Sequence, residues 1–187
     1  MSGGNRSQRV AHDVVELDTL RHRAKLTACP HCGQVGTLNA HGFLRGYAAD
    51  GPSRVVRGRR FYCSERFRRP GCGRTFSLLL AWFLGGFMVV TETLWSFVMS
   101  VLGGLSRKAA WEKRGGSFSR STGYRLWRRL QLAQVTLRSC LSRVSPAPAC
   151  ADVEPLAQLV LHVRTVVPED GCPFAALQYR FQKHLLG

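Results

Sequence analysis

The sequence predicts an α+β fold, with short antiparallel strands in the first half of the chain and helices in the second half. Three observations carry this prediction. Two pairs of cysteines enclose a strand–turn–strand pattern, apolar residues recur at helical spacing over 91–144, and a second helical pattern follows over 156–187. The chain has 187 residues, of which 45% are hydrophobic, so it can bury the core of one ordinary domain or two small ones.

The most specific motif is a pair of cysteines, Cys29 and Cys32, separated by two residues and followed by glycine. This spacing forms a tight turn in which both thiolates face one cation, and zinc is the usual occupant. A second pair, Cys63 and Cys72, closes the segment. The four cysteines therefore predict one structural Zn²⁺ in a zinc ribbon that covers residues 26–77. The ribbon strands are predicted at Leu38 to Tyr47 and Val55 to Tyr62, with a turn at Asp50-Gly51-Pro52.

The second cysteine pair departs from the usual spacing, because eight residues separate its members. The intervening SERFRRPG has to loop out, and it forms a basic finger with Arg66, Arg68 and Arg69. His31 and His41 are alternatives for the fourth ligand. Four protein ligands leave no open coordination position, so the metal is expected to stabilise the fold rather than to catalyse a reaction.

The charge of the chain points to a polyanionic partner. Lys and Arg number 27 against 11 Asp and Glu, and the net charge is +16. Most of the excess lies in two blocks, residues 29–77 and residues 107–144. Such a distribution favours nucleic acid first and an anionic membrane surface second.

Seven cysteines would also fit a secreted disulfide framework. The N-terminal residues 1–18 contain no apolar stretch resembling a signal peptide, however, and an odd number of cysteines leaves one unpaired. We therefore expect reduced thiols in a cytoplasmic protein. A second metal site is not supported by the spacing of Cys150, Cys172, His162 and His184.

The apolar segment 78–90 raises the question of a membrane span, because Glu92 is the only charged residue over 75–106. The uncharged run is shorter than the ~20 residues that a span needs, and Gly85-Gly86 interrupts it. Thr91 is a helix N-cap signal, and Glu92 suits a first helical turn. We therefore expect a connector over 78–90 and then a buried helix, with a membrane-associated protein as a minor alternative.

Three helices joined by glycine-containing turns are predicted over 91–144. They cover 91–102, 107–114 and a long segment that begins near Ser119. Ser, Arg and Thr at the start of the third helix are typical of a helix-turn-helix, in which that helix enters the major groove of DNA. The residues expected to read bases are Arg120, Ser121, Thr122 and Arg125, with Arg128 and Arg129 closer to phosphate. The ribbon residues expected to contact the DNA backbone are Arg57, Arg59, Arg60, Arg66, Arg68 and Arg69.

Three further segments complete the predicted organisation. Residues 1–25 form an N-terminal arm, and the proline-rich residues 145–155 form a linker in which Asp152 caps the next helix. Residues 156–187 form a C-terminal helical pair with a turn at 168–171. This pair is expected to pack on the long helix or to offer a surface to a partner.

The runs CPHCG, RRFYC and GCGRTFS, followed by a helix-turn-helix pattern, resemble the N-terminal region of bacterial insertion-sequence transposases and of their small accessory proteins. The resemblance covers about residues 26–144. It implies that Cys29, Cys32, Cys63 and Cys72 bind zinc and that the helix at 119–129 reads DNA. It also implies double-stranded DNA as partner, a catalytic transposase subunit as a second partner, and a nucleoid-associated location in a bacterium.

Transposases of this kind cut DNA with three carboxylates on a separate RNase H-like domain. The 43 residues after residue 144 offer no alternating β pattern around their acids, and nucleophile triads and phosphate-binding glycine loops are missing from the sequence. We therefore expect no catalytic activity and no small-molecule substrate. The expected function is that of a truncated transposase, or of an end-binding or repressor subunit, and a homodimer is an open alternative.

An RNA-binding zinc-ribbon protein is the alternative function. It requires exposed aromatic side chains on which bases can stack. The clustered candidates in the sequence are Phe61, Tyr62 and Phe67.

Overall fold

A computed structural model describes residues 10–48, 53–66, 70–149, 154–167 and 171–186 of the chain. These residues form an α+β protein, as the sequence predicts. The chain divides into two compact units, an N-terminal unit of residues 1–81 and a C-terminal unit of residues 82–187. The predicted boundary after residue 77 falls slightly early, because the last strand of the sheet continues to Leu80.

One four-stranded sheet organises the N-terminal unit, with the strand order β1-β4-β3-β2. Its elements in chain order are β1 (Val10–Ala11), α1 (Val14–Arg23), a short 3₁₀ helix (Ala24–Leu26), β2 (Leu38–Tyr47), β3 (Arg54–Cys63) and β4 (Thr75–Leu80). Strands β2, β3 and β4 are antiparallel, whereas β1 joins β4 in parallel. The β2–β3 register places Leu38 opposite Cys63, so the base of this hairpin lies at the second cysteine pair. The predicted turn at residues 50–52 lies outside the described residues.

The N-terminal segment contains a helix where the sequence predicts an arm. Asp13 caps α1 by accepting a hydrogen bond from the Glu16 N–H at 2.7 Å, and this bond lowers the pKa of the Asp13 carboxyl. Leu17 is fully buried, and the Ala81 N–H donates to the Ala11 carbonyl at 2.8 Å. Leu17 is the only buried residue of α1, so the helix lacks the apolar periodicity that would reveal it in the sequence.

The C-terminal unit is helical in its described residues. Its helices are α2 (Thr91–Leu102), α3 (Arg107–Arg114), α4 (Arg120–Ser142), α5 (Pro155–Val166) and α6 (Pro173–Phe181). An aromatic cluster joins the first three helices, because Phe97 meets Trp111 and Trp127 edge to face at centroid distances of 5.1 and 5.7 Å. Such pairs contribute about 0.5–1.5 kcal/mol each beyond the area that they bury.

The corner between α3 and α4 is built on Trp111. Its indole N–H donates to the Ser119 carbonyl at 2.9 Å, directly before α4 begins. Gly115 and Gly123 face the same ring, and a side chain at either position would collide with it. The two glycines therefore let the indole lie against the backbone of the turn and fix the direction in which α4 leaves it.

The predicted connector 78–90 is divided between the two units. Residues 78–80 end β4, and a closed loop follows in which Phe83 pairs with Val90. Val90 is the N-cap of α2, one residue earlier than the predicted Thr91, whose hydroxyl donates to the Trp82 carbonyl at 3.3 Å. None of the helices in the described ranges has the length and apolar character required to cross a membrane.

The C-terminal helices pack on the unit as the sequence suggests. Helix α5 contacts α4, and α6 contacts both α2 and α5. The Leu156 N–H donates to the Glu154 carboxylate at 3.4 Å, so Glu154 caps α5, while the predicted cap Asp152 and turn residues 168–170 lie outside the described part of the chain. Helix α6 ends at Phe181 rather than at 186, because Gln182 adopts a left-handed conformation with φ 52°.

Candidate metal centre and nucleic-acid interface

The four predicted cysteines come together in the N-terminal unit. The sulfur atoms of Cys29, Cys32, Cys63 and Cys72 all lie within 4.8 Å of one another. The Cys29–Cys72 and Cys32–Cys63 sulfur pairs are 3.9 and 3.7 Å apart. A tetrahedral metal with metal–sulfur bonds of about 2.3 Å requires sulfur–sulfur separations of about 3.8 Å. The cluster therefore has the size of a closed four-thiolate metal site.

The two cysteine pairs have the same backbone hydrogen bonds despite their different spacing. In the first pair, the Gly33 N–H donates to the Cys29 carbonyl at 2.8 Å; in the second, the Gly73 N–H donates to the Cys63 carbonyl at 3.0 Å. Gly33 and Gly73 have φ values of 75° and 69°, a left-handed conformation that glycine adopts without strain. Both pairs thus end in a glycine of the same conformation that donates to the carbonyl of the first cysteine, although eight residues separate Cys63 from Cys72.

Backbone and hydroxyl donors point at the sulfur atoms. The His31 N–H lies 3.4 Å from the Cys29 sulfur, and the Cys72 N–H lies 3.3 Å from the Cys63 sulfur. The Thr37 hydroxyl lies 3.2 Å from the Cys63 sulfur within the buried part of the site. Such donors stabilise thiolates, which are the form of cysteine that binds metals.

Two of the four cysteines, Cys29 and Cys63, have shifted pKa values. Burial raises the pKa of the Cys29 thiol to about 12, so this group holds its proton at neutral pH. Burial acts on Cys63 in the same direction, but hydrogen bonds from Thr37, the Cys72 N–H and the neighbouring thiols outweigh it and lower the pKa of Cys63 to about 7. A bound cation must therefore displace protons, which links metal binding to pH.

Neither histidine considered as a fourth ligand belongs to the cluster. Among the described residues, the four cysteines are the one group of three or more His, Cys, Asp or Glu side chains close enough together to hold a metal ion. The ring of His31 lies beside Phe76 at a centroid distance of 6.4 Å, and both His31 and His41 are exposed. The donor set is therefore four sulfurs, which suits a closed structural site with no coordination position for a substrate.

The arginines predicted to contact DNA from the ribbon do not share one environment. Arg60 and Arg66 are exposed, and Arg57 is half-buried across Gly46, where burial lowers the pKa of its guanidinium. Arg68 and Arg69 lie outside the described residues. Of the predicted backbone-contacting arginines in the ribbon, Arg60 and Arg66 are therefore accessible to a DNA backbone.

The prediction that Arg59 contacts the DNA backbone is wrong. Its residue is 5% exposed, and its guanidinium carbon lies 4.1 Å from the centre of the Phe43 ring. Its Nη1 forms an ion pair with the Asp18 carboxylate of α1 at 3.5 Å. Arg59 therefore stabilises the packing of α1 on the sheet and is too buried to contact a DNA backbone.

The predicted reading residues lie in the first three turns of α4. Arg120, Ser121, Arg125, Arg128 and Arg129 are exposed, and Thr122 is half-buried. Helix α4 contains no acidic residue. This part of α4 thus presents a cationic surface directly after the corner fixed by Trp111.

Two of these arginines contact neighbouring side chains. Arg120 forms an ion pair with Glu112 of α3 at 2.6 Å, so it has to leave that partner before it can reach a base. The Arg125 guanidinium lies 5.7 Å from the centre of the Phe87 ring. Sequence reasoning missed Tyr124, which is 49% exposed between these arginines and lies 5.8 Å below the Arg107 guanidinium.

Of the aromatic residues considered for RNA stacking, the two that the structure describes are not fully exposed. Phe61 is 2% exposed and stacks on Phe76 at a centroid distance of 5.5 Å, and Tyr62 is half-buried. Phe67 lies outside the part of the chain that the structure describes.

In comparisons with known protein families, curated proteins and solved structures, no match to this chain is found.

Proposed function

We propose that this chain is a zinc-dependent protein that binds double-stranded DNA, with a four-cysteine zinc ribbon followed by a helix-turn-helix. The observation that carries the proposal is the start of α4, where exposed arginines on a helix without acidic residues follow a rigid turn. An exposed cationic helix of this kind fits the major groove, where arginine recognises guanine and phosphate.

The corner at Trp111 supports this assignment, because base reading requires a helix of fixed direction. Phe97, Trp111 and Trp127 hold α2, α3 and α4 around one apolar centre. The aromatic side chains lie inside the unit, whereas Arg125, Arg128 and Arg129 lie outside it. A packed inner face and a cationic outer face suit a helix that lies in the major groove of DNA.

In this proposal the metal has a structural role. Zinc is the cation that four thiolates at tetrahedral separation normally bind, and a sheet of this size gains much of its folding energy from such a site. The metal would fix the two cysteine turns and with them the base of the β2–β3 hairpin. Arg60 and Arg66 would then add phosphate contacts that carry no sequence information.

The cellular role is proposed from the resemblance to insertion-sequence transposases. The chain would bind the ends or the promoter of a mobile element, as a truncated transposase or as an end-binding or repressor subunit. Strand cleavage would then belong to a separate catalytic transposase subunit. A homodimer would place two α4 helices on two half-sites of the duplex.

Selection from a pool of randomised duplexes tests the proposal. The metal-loaded chain should enrich a sequence motif, and Arg125→Ala should weaken binding to that motif by about 1–3 kcal/mol while changing binding to a scrambled duplex little. Arg143→Ala is the matched control, because Arg143 is also exposed and is the C-cap of α4, about 27 Å from Arg125. Failure to enrich any motif would refute sequence-preferring recognition.

A further inference from the structure

The β2–β3 hairpin carries an aromatic and cationic face that the proposed duplex interface does not use. The strand register pairs Phe43 with Arg59, Arg45 with Val56 and Tyr47 with Arg54. Side chains alternate along β2, so Phe43, Arg45 and Tyr47 share one face of that strand. Directly paired residues share a face, and an extra residue in β3 between Val56 and Gly58 keeps Arg59 and Arg54 on this face despite their odd spacing. We call Phe43, Arg45, Tyr47 and Arg54 the hairpin ladder.

The rings of the hairpin ladder are accessible and are held next to arginines. Phe43 is 42% exposed and Tyr47 is 46% exposed. The Arg45 guanidinium lies 5.9 Å from the centre of the Phe43 ring, and the Arg54 guanidinium lies 6.0 Å from that of Tyr47. Two accessible rings on one strand, each next to a guanidinium, form a combined aromatic and cationic surface.

Buried Arg59 holds the Phe43 ring from the protein side. Its guanidinium carbon lies 4.1 Å from the ring centre, and its Nε and Nη1 are buried without a hydrogen-bond acceptor among the described residues. The ring and the Asp18 carboxylate are then the groups that offset its charge. Phe43 is thus positioned by a contact that a merely solvated side chain would lack.

The positive charge of the strands that carry the hairpin ladder indicates which kind of partner it binds. Strands β2 and β3 contain five arginines and no acidic residue. A cationic strand surface with exposed rings is complementary to phosphates and to the faces of bases. Base faces are accessible only where a strand is unpaired, because the stacked pairs of a duplex cover them.

We propose that the hairpin ladder binds an unpaired nucleic-acid strand, with bases stacked on Phe43 and Tyr47 and phosphates placed at Arg45 and Arg54. The two rings are four residues apart on one strand, which corresponds to about 13 Å. This distance exceeds the spacing of neighbouring stacked bases, so the rings take bases that are not adjacent in the strand. The proposal is independent of the duplex interface, since none of the four ladder residues belongs to that interface.

The proposal is tested by measuring the affinity of the metal-loaded full chain for fluorescent oligothymidine and oligouridine, each twelve nucleotides long. Tyr47→Ala should weaken binding of an unpaired strand about tenfold, as loss of a stacking ring does, and Tyr47→Phe should restore it. Phe43→Leu should give a similar loss while keeping apolar volume over Arg59. Leu26→Ala is the control, because Leu26 is 80% exposed in the same unit and lies outside the ladder.

The same variants are measured against a twelve-base-pair duplex and for metal content. The proposal requires unchanged metal content and unchanged duplex binding for Tyr47→Ala. Equal losses for oligothymidine and oligouridine identify recognition of bases irrespective of the sugar, and a loss confined to oligouridine identifies RNA as the ligand. Equal losses on the duplex, or full binding of the unpaired strands by Tyr47→Ala, would overturn it.

Discussion

Gly123 of α4 lies directly against the indole of Trp111 on α3: a Cβ added at residue 123 would come within 2.6 Å of two ring carbons. The same indole N–H donates to the Ser119 carbonyl that precedes α4. One aromatic side chain therefore sets both the position at which α4 begins and the distance at which it passes α3.

Gly123→Ala should destabilise the C-terminal unit by about 1–3 kcal/mol, because the new methyl group overpacks the indole. The sign of this stability change is informative, because replacing glycine by alanine within a helix otherwise stabilises a protein by about 1 kcal/mol. Urea unfolding followed by tryptophan fluorescence reports on this unit, because all four tryptophans lie between residues 82 and 127. Ser139→Ala, at an exposed position of the same helix, should be nearly neutral. A Gly123→Ala variant as stable as the parent would contradict the packing described.

Cys63→Ser should abolish metal binding and unfold the sheet of the N-terminal unit. Its sulfur is buried and accepts hydrogen bonds from Thr37 and from the Cys72 backbone, so no other group can replace it as ligand. The parent chain and the control Cys172→Ser should each carry one metal ion per chain by mass spectrometry. A folded parent without metal would exclude the zinc-ribbon assignment.

Metal affinity should fall as the pH falls, and more steeply below about pH 7. The pKa of Cys29 is raised to about 12, so its proton has to be displaced at any neutral pH. The pKa of Cys63 is lowered to about 7, so its thiolate is present above that pH and a further proton competes with the metal below it. Competition with a chelator between pH 5 and pH 9 measures this dependence. An affinity independent of pH would show that the ligands are not these thiols.

Arg59→Ala should destabilise the N-terminal unit without changing the salt dependence of DNA binding. The substitution removes the Phe43 contact and leaves Asp18 without its buried partner. Arg60→Ala is the matched comparison, because Arg60 is the next residue of β3 and is exposed. It should keep stability and reduce the slope of log K against log salt by about 0.9 if Arg60 contacts a phosphate. The reverse pattern would mean that Arg59 contacts the DNA backbone after all.

The cysteine site was predictable because its signal is local. In each pair of cysteines a glycine directly follows the second cysteine, and that order is visible in the residues themselves. Helices α2 and α4 were predictable because their apolar residues repeat with helical spacing, and α3 was predictable from its Ser106 cap and the glycine that follows it.

The faces of β2 and β3 were not predictable, because two irregularities shift their register. The pairing changes between Ala40 and Gly42 and again between Leu44 and Arg45. A shift by one residue reverses which side chains point to the core. For this reason the sequence could not show that Arg59 is buried or that Phe43 and Tyr47 are exposed, and it offers Phe61 as a stacking candidate although this residue is buried.

The most direct test of the central claim is a salt titration of duplex binding with Arg128 and Arg129 replaced by Gln together. If the first turns of α4 contact DNA phosphates, the slope of log K against log salt should decrease by about 1.8, which corresponds to two lost contacts. Arg143→Gln, at the exposed C-cap of the same helix, should leave the slope unchanged. Equal slopes for the parent and the double variant would contradict the claim that this end of α4 binds DNA.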